Sequence, residues 1–201
     1  MRQAAAQFCW NDPADIRAFV AERRFAMLVA TGAAGPVVAH VPVIWMDDHR
    51  LAFHLSRANR IVPHLVGARA LMVVNGPDGY VSPDWYGLPD QVPTWNYAAA
   101  ELEGDVNMLP AADLPALIDA LSHDSERRLA PKPIWRRDKM ADGQFDRMLG
   151  AINGYVMAVD QWRGTRKLGQ NKPASVRIAA ADGVEAAGNT EMAAWMRKSI
   201  S

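Results

Sequence analysis

Gly76-Pro77-Asp78-Gly79-Tyr80-Val81-Ser82-Pro83-Asp84-Trp85-Tyr86-Gly87-Leu88-Pro89-Asp90-Gln91-Val92-Pro93-Thr94-Trp95-Asn96-Tyr97 is the stretch from which the rest of the chain can be read. Four prolines and three glycines punctuate it, which argues against a helix or a long central strand. Tyr80, Trp85, Tyr86, Trp95 and Tyr97 sit within it. Large flat side chains cost little entropy to order, and their polar tips need partners when buried. Such a loop suits stacking on a planar ligand. It equally suits a packed cover over a sheet edge.

The flanking sequence has strand periodicity. Upstream, Asn11-Asp12-Pro13 is a helix start, with a capping side chain and then proline in the first turn. Ile16, Phe19, Val20 and Arg23 follow at helical spacing, so the pattern predicts a helix over 13–23. Phe25–Thr31 is an apolar run of strand length, Gly32–Pro36 a turn, and Val37–Trp45 a second strand. Pro42 inside it points to an edge or a bulge. Leu51, Phe53 and Leu55 alternate with Ala52, His54 and Ser56, the period of a half-buried strand. A short link over 60–66 leads to a strand over 69–74 that stops at Asn75-Gly76, with Gly79–Ser82 a candidate extension. Residues 97–106 alternate again, with Glu101 and Glu103 outward.

Beyond this, Asp113 is placed to cap a helix carrying Leu114, Leu117, Ile118 and Leu121, and residues 142–150 form a shorter one. Gly154–Trp162 reads as the last strand, followed by helices over 173–187 and 190–199 split at Gly188-Asn189. Short strands joined by tight turns predict an antiparallel barrel with peripheral helices, an α+β fold that is mainly β. Because strand 154–162 returns after the intervening helices, residues 1–201 are expected to form one domain.

Half the residues are hydrophobic and the formal net charge is zero. A strongly basic nucleic-acid surface is therefore not expected. Cys9 is the only cysteine, so no internal disulfide or multi-cysteine metal site can form. No apolar run reaches membrane-span length and no leader-like start is visible, so no membrane partner is expected and a cytoplasmic setting is the economical one. His40, His49, His54, His64 and His123 are scattered without metal-ligand spacing. No phosphate-binding P-loop, nucleophile elbow or dinucleotide glycine fingerprint occurs.

Three segments carry a resemblance. They are Tyr80-Val81-Ser82-Pro83-Asp84-Trp85-Tyr86 with Val92-Pro93-Thr94-Trp95-Asn96-Tyr97, in which Pro93-Thr94-Trp95-Asn96-Tyr97 is the most specific run, then His54-Leu55-Ser56-Arg57-Ala58-Asn59, and Lys167-Leu168-Gly169-Gln170-Asn171. Together they resemble the PaiB-like family of FMN-binding negative transcriptional regulators, over most of the chain from about Phe8. The resemblance implies a split β-barrel that binds FMN, as a homodimer with flavin between subunits. It also implies a phosphate site in the region of Ser56, Arg57, Asn59 and Arg60. There the residues themselves offer planar guanidinium forks and neutral donors at a strand exit, or merely a solvated link.

Trp85, Thr94, Trp95 and Asn96 are candidates for lining the isoalloxazine: an amide can bond its polar edge and a ring can stack on it. The plainer reading makes both tryptophans core anchors. Lys167, Gln170 and Asn171 can meet an anion or exchange hydrogen bonds, or simply build a helix-capping turn. The family pattern has serine where this chain has Gly169, which removes one donor. These residues support a flavin-dependent redox protein or a flavin-sensing regulator. The alternative is an interaction domain that has lost flavin. A small-molecule substrate is not legible, and DNA as a partner is implied by the family's name alone: the basic run from Arg127 to Lys139 is not a recognition helix.

Overall fold

The computed structural model describes residues 6–199. In chain order the elements are β1 (Cys9–Trp10), α1 (Pro13–Arg23), β2 (Phe25–Gly32), β3 (Gly35–Trp45), β4 (Arg50–Ser56), β5 (Ala68–Val81) and β6 (Thr94–Met108), then α2 (Leu114–Glu126), α3 (Gln144–Leu149), β7 (Ile152–Lys167), α4 (Ala174–Ala186) and α5 (Thr190–Lys198). The strands form one sheet in the order β1-β7-β4-β3-β2-β5-β6, and β7 also pairs with β6. The ladders β1–β7, β2–β3, β2–β5, β3–β4 and β4–β7 are all antiparallel. This is an α+β fold, mainly β: an antiparallel split barrel with peripheral helices.

The described chain divides into two compact units. The first holds residues 17–74 and 101–162. Here strand alternation sends Leu28, Val41, Leu51, Phe53, Met72, Leu102, Tyr155 and Met157 inward, all of them buried. Phe53 and Tyr155, opposite each other on β4 and β7, stack with centroids 5.4 Å apart. β6 and β7 approach closely where they pair. A Cβ on Gly104 would lie 1.9 Å from the Ala158 carbonyl oxygen, so only glycine allows this approach. Outside, Arg69 reaches both Asp160 at 2.7 Å and Glu103 at 3.3 Å, tying β5 to the two strands that meet there.

The strand at 50–56 is buried on both faces, not one. Ala52 packs with Leu109, Leu114 and Leu117, because α2 covers the outer face of the sheet. Gly154 on β7 makes room for Leu109 and Leu114 in the same place. Asp113 precedes α2 but makes no capping side-chain bond. At the other end of the chain Asp12 does cap α1, its Oδ1 accepting from the Ala14 amide at 2.9 Å. β3 is an interior strand, between β2 and β4. Pro42 lies opposite Phe25 of β2, just before the ladder to β4 begins at Val43, so its missing N–H breaks no rung of that ladder.

The second unit holds residues 6–16, 75–100 and 163–199 of the described chain. Residues 75–81 belong to β5, so the strand does not stop at Asn75-Gly76. The buried set shifts from Val74 and Gly76 to Pro77, Gly79 and Val81. One extra residue is thereby absorbed in the strand, the behaviour of a bulge. Loop 82–93 contains a 3₁₀ turn at Pro83–Tyr86, and Thr94 already begins β6. Trp85 and Tyr86 pack with Val81, Leu168 and the inner faces of α4 and α5.

Gly104→Ala is expected to destabilise the protein by about 1–3 kcal/mol or more, as overpacking does. Urea unfolding checks it. An unchanged midpoint would show that β6 and β7 part at no cost.

Candidate functional site

The second unit contains a cleft of about 270 Å³ whose walls come from the ends of two strands and the turn after β7. Thr94 and Asn96 enter from β6, Lys167, Gly169, Asn171 and Lys172 from the end of β7 and its turn, and Tyr86 and Gln91 from the loop between β5 and β6. β6 explains the geometry. Its buried residues are Asn96, Ala98, Ala100, Leu102, Gly104 and Val106, so Asn96 occupies an inward slot otherwise filled by apolar or small groups. Asn96 is 1% exposed, and its Nδ2 has no hydrogen-bond partner within the protein. An amide donor sealed in this way costs about 1–3 kcal/mol unless something meets it.

The cationic side of the cleft is ordered by neutral acceptors. The Lys167 ammonium donates to Thr94 Oγ1 at 2.5 Å. Lys172 donates to Gln91 Oε1, and its Nζ lies 4.1 Å from the centroid of the Tyr86 ring. Burial pushes the Tyr86 phenol above its ordinary range, so it stays protonated at neutral pH. With Lys167 and Lys172 against Asp90, the lining carries a net positive charge.

The structure thus brings Thr94, Asn96, Lys167 and Asn171 to one cleft. Gln170 sits beside them but its amide is spent on the turn: Oε1 accepts from the Leu168 amide at 2.7 Å, and Nε2 donates to the Arg166 carbonyl at 2.5 Å. Gly169 has φ +81°, a conformation that favours glycine over the serine of the family pattern. Trp85 is an anchor: a Cβ on Gly183 of α4 would fall 2.4 Å from its Cγ. Trp95 is the opposite case, 56% exposed and edge-on to the exposed Tyr80 with centroids 6.3 Å apart. Sequence reasoning missed Gln91 and Lys172. A lysine one residue past Asn171 was the available signal.

Ser56, Arg57, Asn59 and Arg60 lie in the barrel unit, where β4 ends. Ser56 Oγ accepts from the Ala58 amide at 3.3 Å, and Asn59 Oδ1 from the Ile61 amide at 3.1 Å. These two side chains fold the turn. Arg57 Nε donates to the Ile152 carbonyl at 3.2 Å, which fixes its guanidinium at the turn's surface, and Arg60 is exposed beside it.

Residues 4–161 match the family described as "Putative FMN-binding domain". The chain belongs to this family of flavin-binding domains. It is similar to protease synthase and sporulation protein PAI 2 of Bacillus subtilis, 28% identical over 171 residues that make up 83% of this chain and 78% of that one. It is therefore a PaiB-like member. Among solved structures it resembles the FAD and heme binding protein of Mycobacterium smegmatis, with TM-score 0.60 and 20% identity over 86% of this chain and 79% of that one. It also resembles the flavocytochrome Anf3 of Azotobacter vinelandii, with TM-score 0.56 and 16% identity over 82% and 72% of the two chains. These two likenesses bear on the fold. Among the described residues no cluster of His, Cys, Asp and Glu could hold a metal ion, and no helix is long and apolar enough to cross a membrane.

The residues of the cleft fit a flavin. Asn96 has an unused buried donor, and Lys167 and Lys172 bring positive charge, which suits a polar, electron-rich ligand edge. If Asn96 is kept for a ligand, the ligand-free protein should not need it. Asn96→Leu fills the same slot, and its unfolding free energy should be unchanged or higher by about 1 kcal/mol. A loss of about 2 kcal/mol or more would mean that the amide serves the fold.

Proposed function

We propose that the protein binds FMN in a cytoplasmic homodimer and serves as a flavin-dependent redox protein or as a flavin-sensing regulator of the PaiB type. The observation that carries this reading is the sealed, unpartnered amide of Asn96 beside two lysines, in a chain of a flavin-binding family. Bound flavin supplies the electron chemistry. The protein's part is to meet the ring's polar edge through Asn96, to keep positive charge near it through Lys167 and Lys172, and to exclude water from that edge.

A whole small-molecule site usually measures about 300–1,000 Å³. The cleft of about 270 Å³ is smaller, so further walls and the phosphate contacts come from elsewhere. We assign the phosphate to the exposed arginines Arg57 and Arg60, with Ser56 and Asn59 shaping the turn that presents them. A two-fold dimer offers a way to combine these groups, each flavin meeting the Arg57 segment of one subunit and the Asn96 cleft of the other.

Direct DNA reading has less support. Arg127 and Arg128 are paired with Asp124, Lys132 with Glu126 and Arg137 with Asp119, which leaves little of that run free to neutralise phosphates. In the regulatory reading the protein therefore acts by sensing flavin rather than by reading DNA itself.

Adding FMN to the purified chain should quench flavin fluorescence at a stoichiometry of one per subunit. Replacing Arg57 and Arg60 with alanine should weaken FMN at least about tenfold while changing riboflavin little, because only FMN has the phosphate. Equal losses would place the phosphate elsewhere. Pairing an Arg57→Ala chain with an Asn96→Leu chain tests the shared site. Recovery of one good site per mixed dimer is expected, and no recovery would mean that each site is built within one chain.

A further inference from the structure

A second cavity lies in the barrel unit, under the loop that follows α2. Its volume is about 350 Å³, within the range of small-molecule sites. One wall is α2, which presents Asp119, Ser122 and His123 with the spacing of one helix face. The other wall is the segment Ile134–Asp138. That segment is held in place rather than draped. Glu126, near the end of α2, accepts the Trp135 amide at 2.8 Å and also takes the Lys132 ammonium. Those two donors, Lys132 first, hold the Glu126 carboxyl below its ordinary range, so the clamp is intact at neutral pH.

The lining sorts its own ligand chemistry. Arg137 is engaged: its guanidinium meets Asp119 at 3.5 Å and lies 4.7 Å from the centroid of the Phe145 ring. Arg136 is exposed, and no carboxylate of the described residues pairs with it. It presents a planar fork that suits a carboxylate. In the same lining Trp135, 37% exposed, supplies a flat aromatic surface and Ile134 an aliphatic one. Asp138 is the opposing charge in the cavity wall. It repels a second negative charge on a ligand and accepts from a hydroxyl or amine. Two arginines against two aspartates give no net charge, which disfavours a polyphosphate.

We propose that this cavity, between α2 and residues 134–138, is a second ligand site that takes a planar aromatic monocarboxylate bearing a hydrogen-bond donor. The carboxylate meets Arg136, the ring lies along Trp135, and the donor faces Asp138. Nothing in this site is shared with the Asn96 cleft, so it stands or falls apart from flavin binding.

Calorimetric titration of the full chain with 4-hydroxybenzoate, 4-hydroxybenzamide and 4-hydroxyphenyl phosphate tests it. The carboxylate should bind best, with the neutral amide and the dianion each at least about tenfold weaker. Arg136→Gln should cost the carboxylate about tenfold with an unchanged melting temperature, since the side chain is exposed. Trp135→Leu should weaken all three compounds alike. The indole N–H signal lost in that variant should be the one 4-hydroxybenzoate shifts in the parent protein. The proposal is overturned by no binding at millimolar ligand, by equal binding of the amide, or by an Arg136→Gln variant that binds as the parent does.

Discussion

The barrel depends on how closely β6 can approach β7. At Gly104 a single methyl would run into the carbonyl of Ala158, so the two strands meet backbone to backbone with nothing between. That contact brings the last strand of the sheet order round to β7, which already pairs with β4. An apolar set from six strands then faces one interior rather than one side of an open sheet, and Leu28, Val41, Leu51, Phe53, Met72, Leu102, Tyr155 and Met157 are buried there together. Arg69 spans the same seam from outside, between Glu103 and Asp160. Being exposed, these ion pairs position strands more than they stabilise them.

The register that buries Leu102 and Gly104 also decides the fate of Asn96. Side chains alternate strictly along a strand, so the inward set of β6 runs back through Ala100 and Ala98 to Asn96. A fold built only for stability would place an apolar residue in that slot. The amide left without a partner is the kind of local cost that concentrates at sites of function. The neighbouring Lys167–Thr94 pair and the turn locked by Gln170 are satisfied internally. The site therefore keeps the buried Asn96 amide unspent beside neighbours that satisfy one another.

What could be read from the sequence follows from which forces are local. Asp12 before Pro13 announces α1, and the alternation of Leu51, Phe53 and Leu55 announces β4, because capping and pleating act between near neighbours. Burial of Ala52 was not legible, since it depends on α2, which arrives some sixty residues later. The continuation of β5 through Gly76 and Pro77 was hidden for another reason. Proline and glycine normally end strands, yet a bulge accommodates both. Asn96 and Thr94 were visible as candidates from residue type and from their place on either side of Trp95. The difference between Trp85 and Trp95 was not, because it turns on Gly183, a residue of α4 whose missing side chain lets the Trp85 indole pack against the helix.

That difference bears on where the rest of a flavin site would come from. Trp95 stands between Thr94 and Asn96, so alternation points it to the opposite face of β6 from the cleft. It is exposed there with Tyr80 alongside, and Val92 and Leu88 on the preceding loop are exposed as well, at 73% and 43%. A cleft smaller than a whole ligand, next in sequence to large apolar side chains left in water, is the surface expected of half a site. In the homodimer proposed above, a second copy of the chain would cover such residues, since in a two-fold interface each patch meets its own equivalent or its complement. Association and ligand binding would then stabilise one another, because each removes from water what the other leaves exposed.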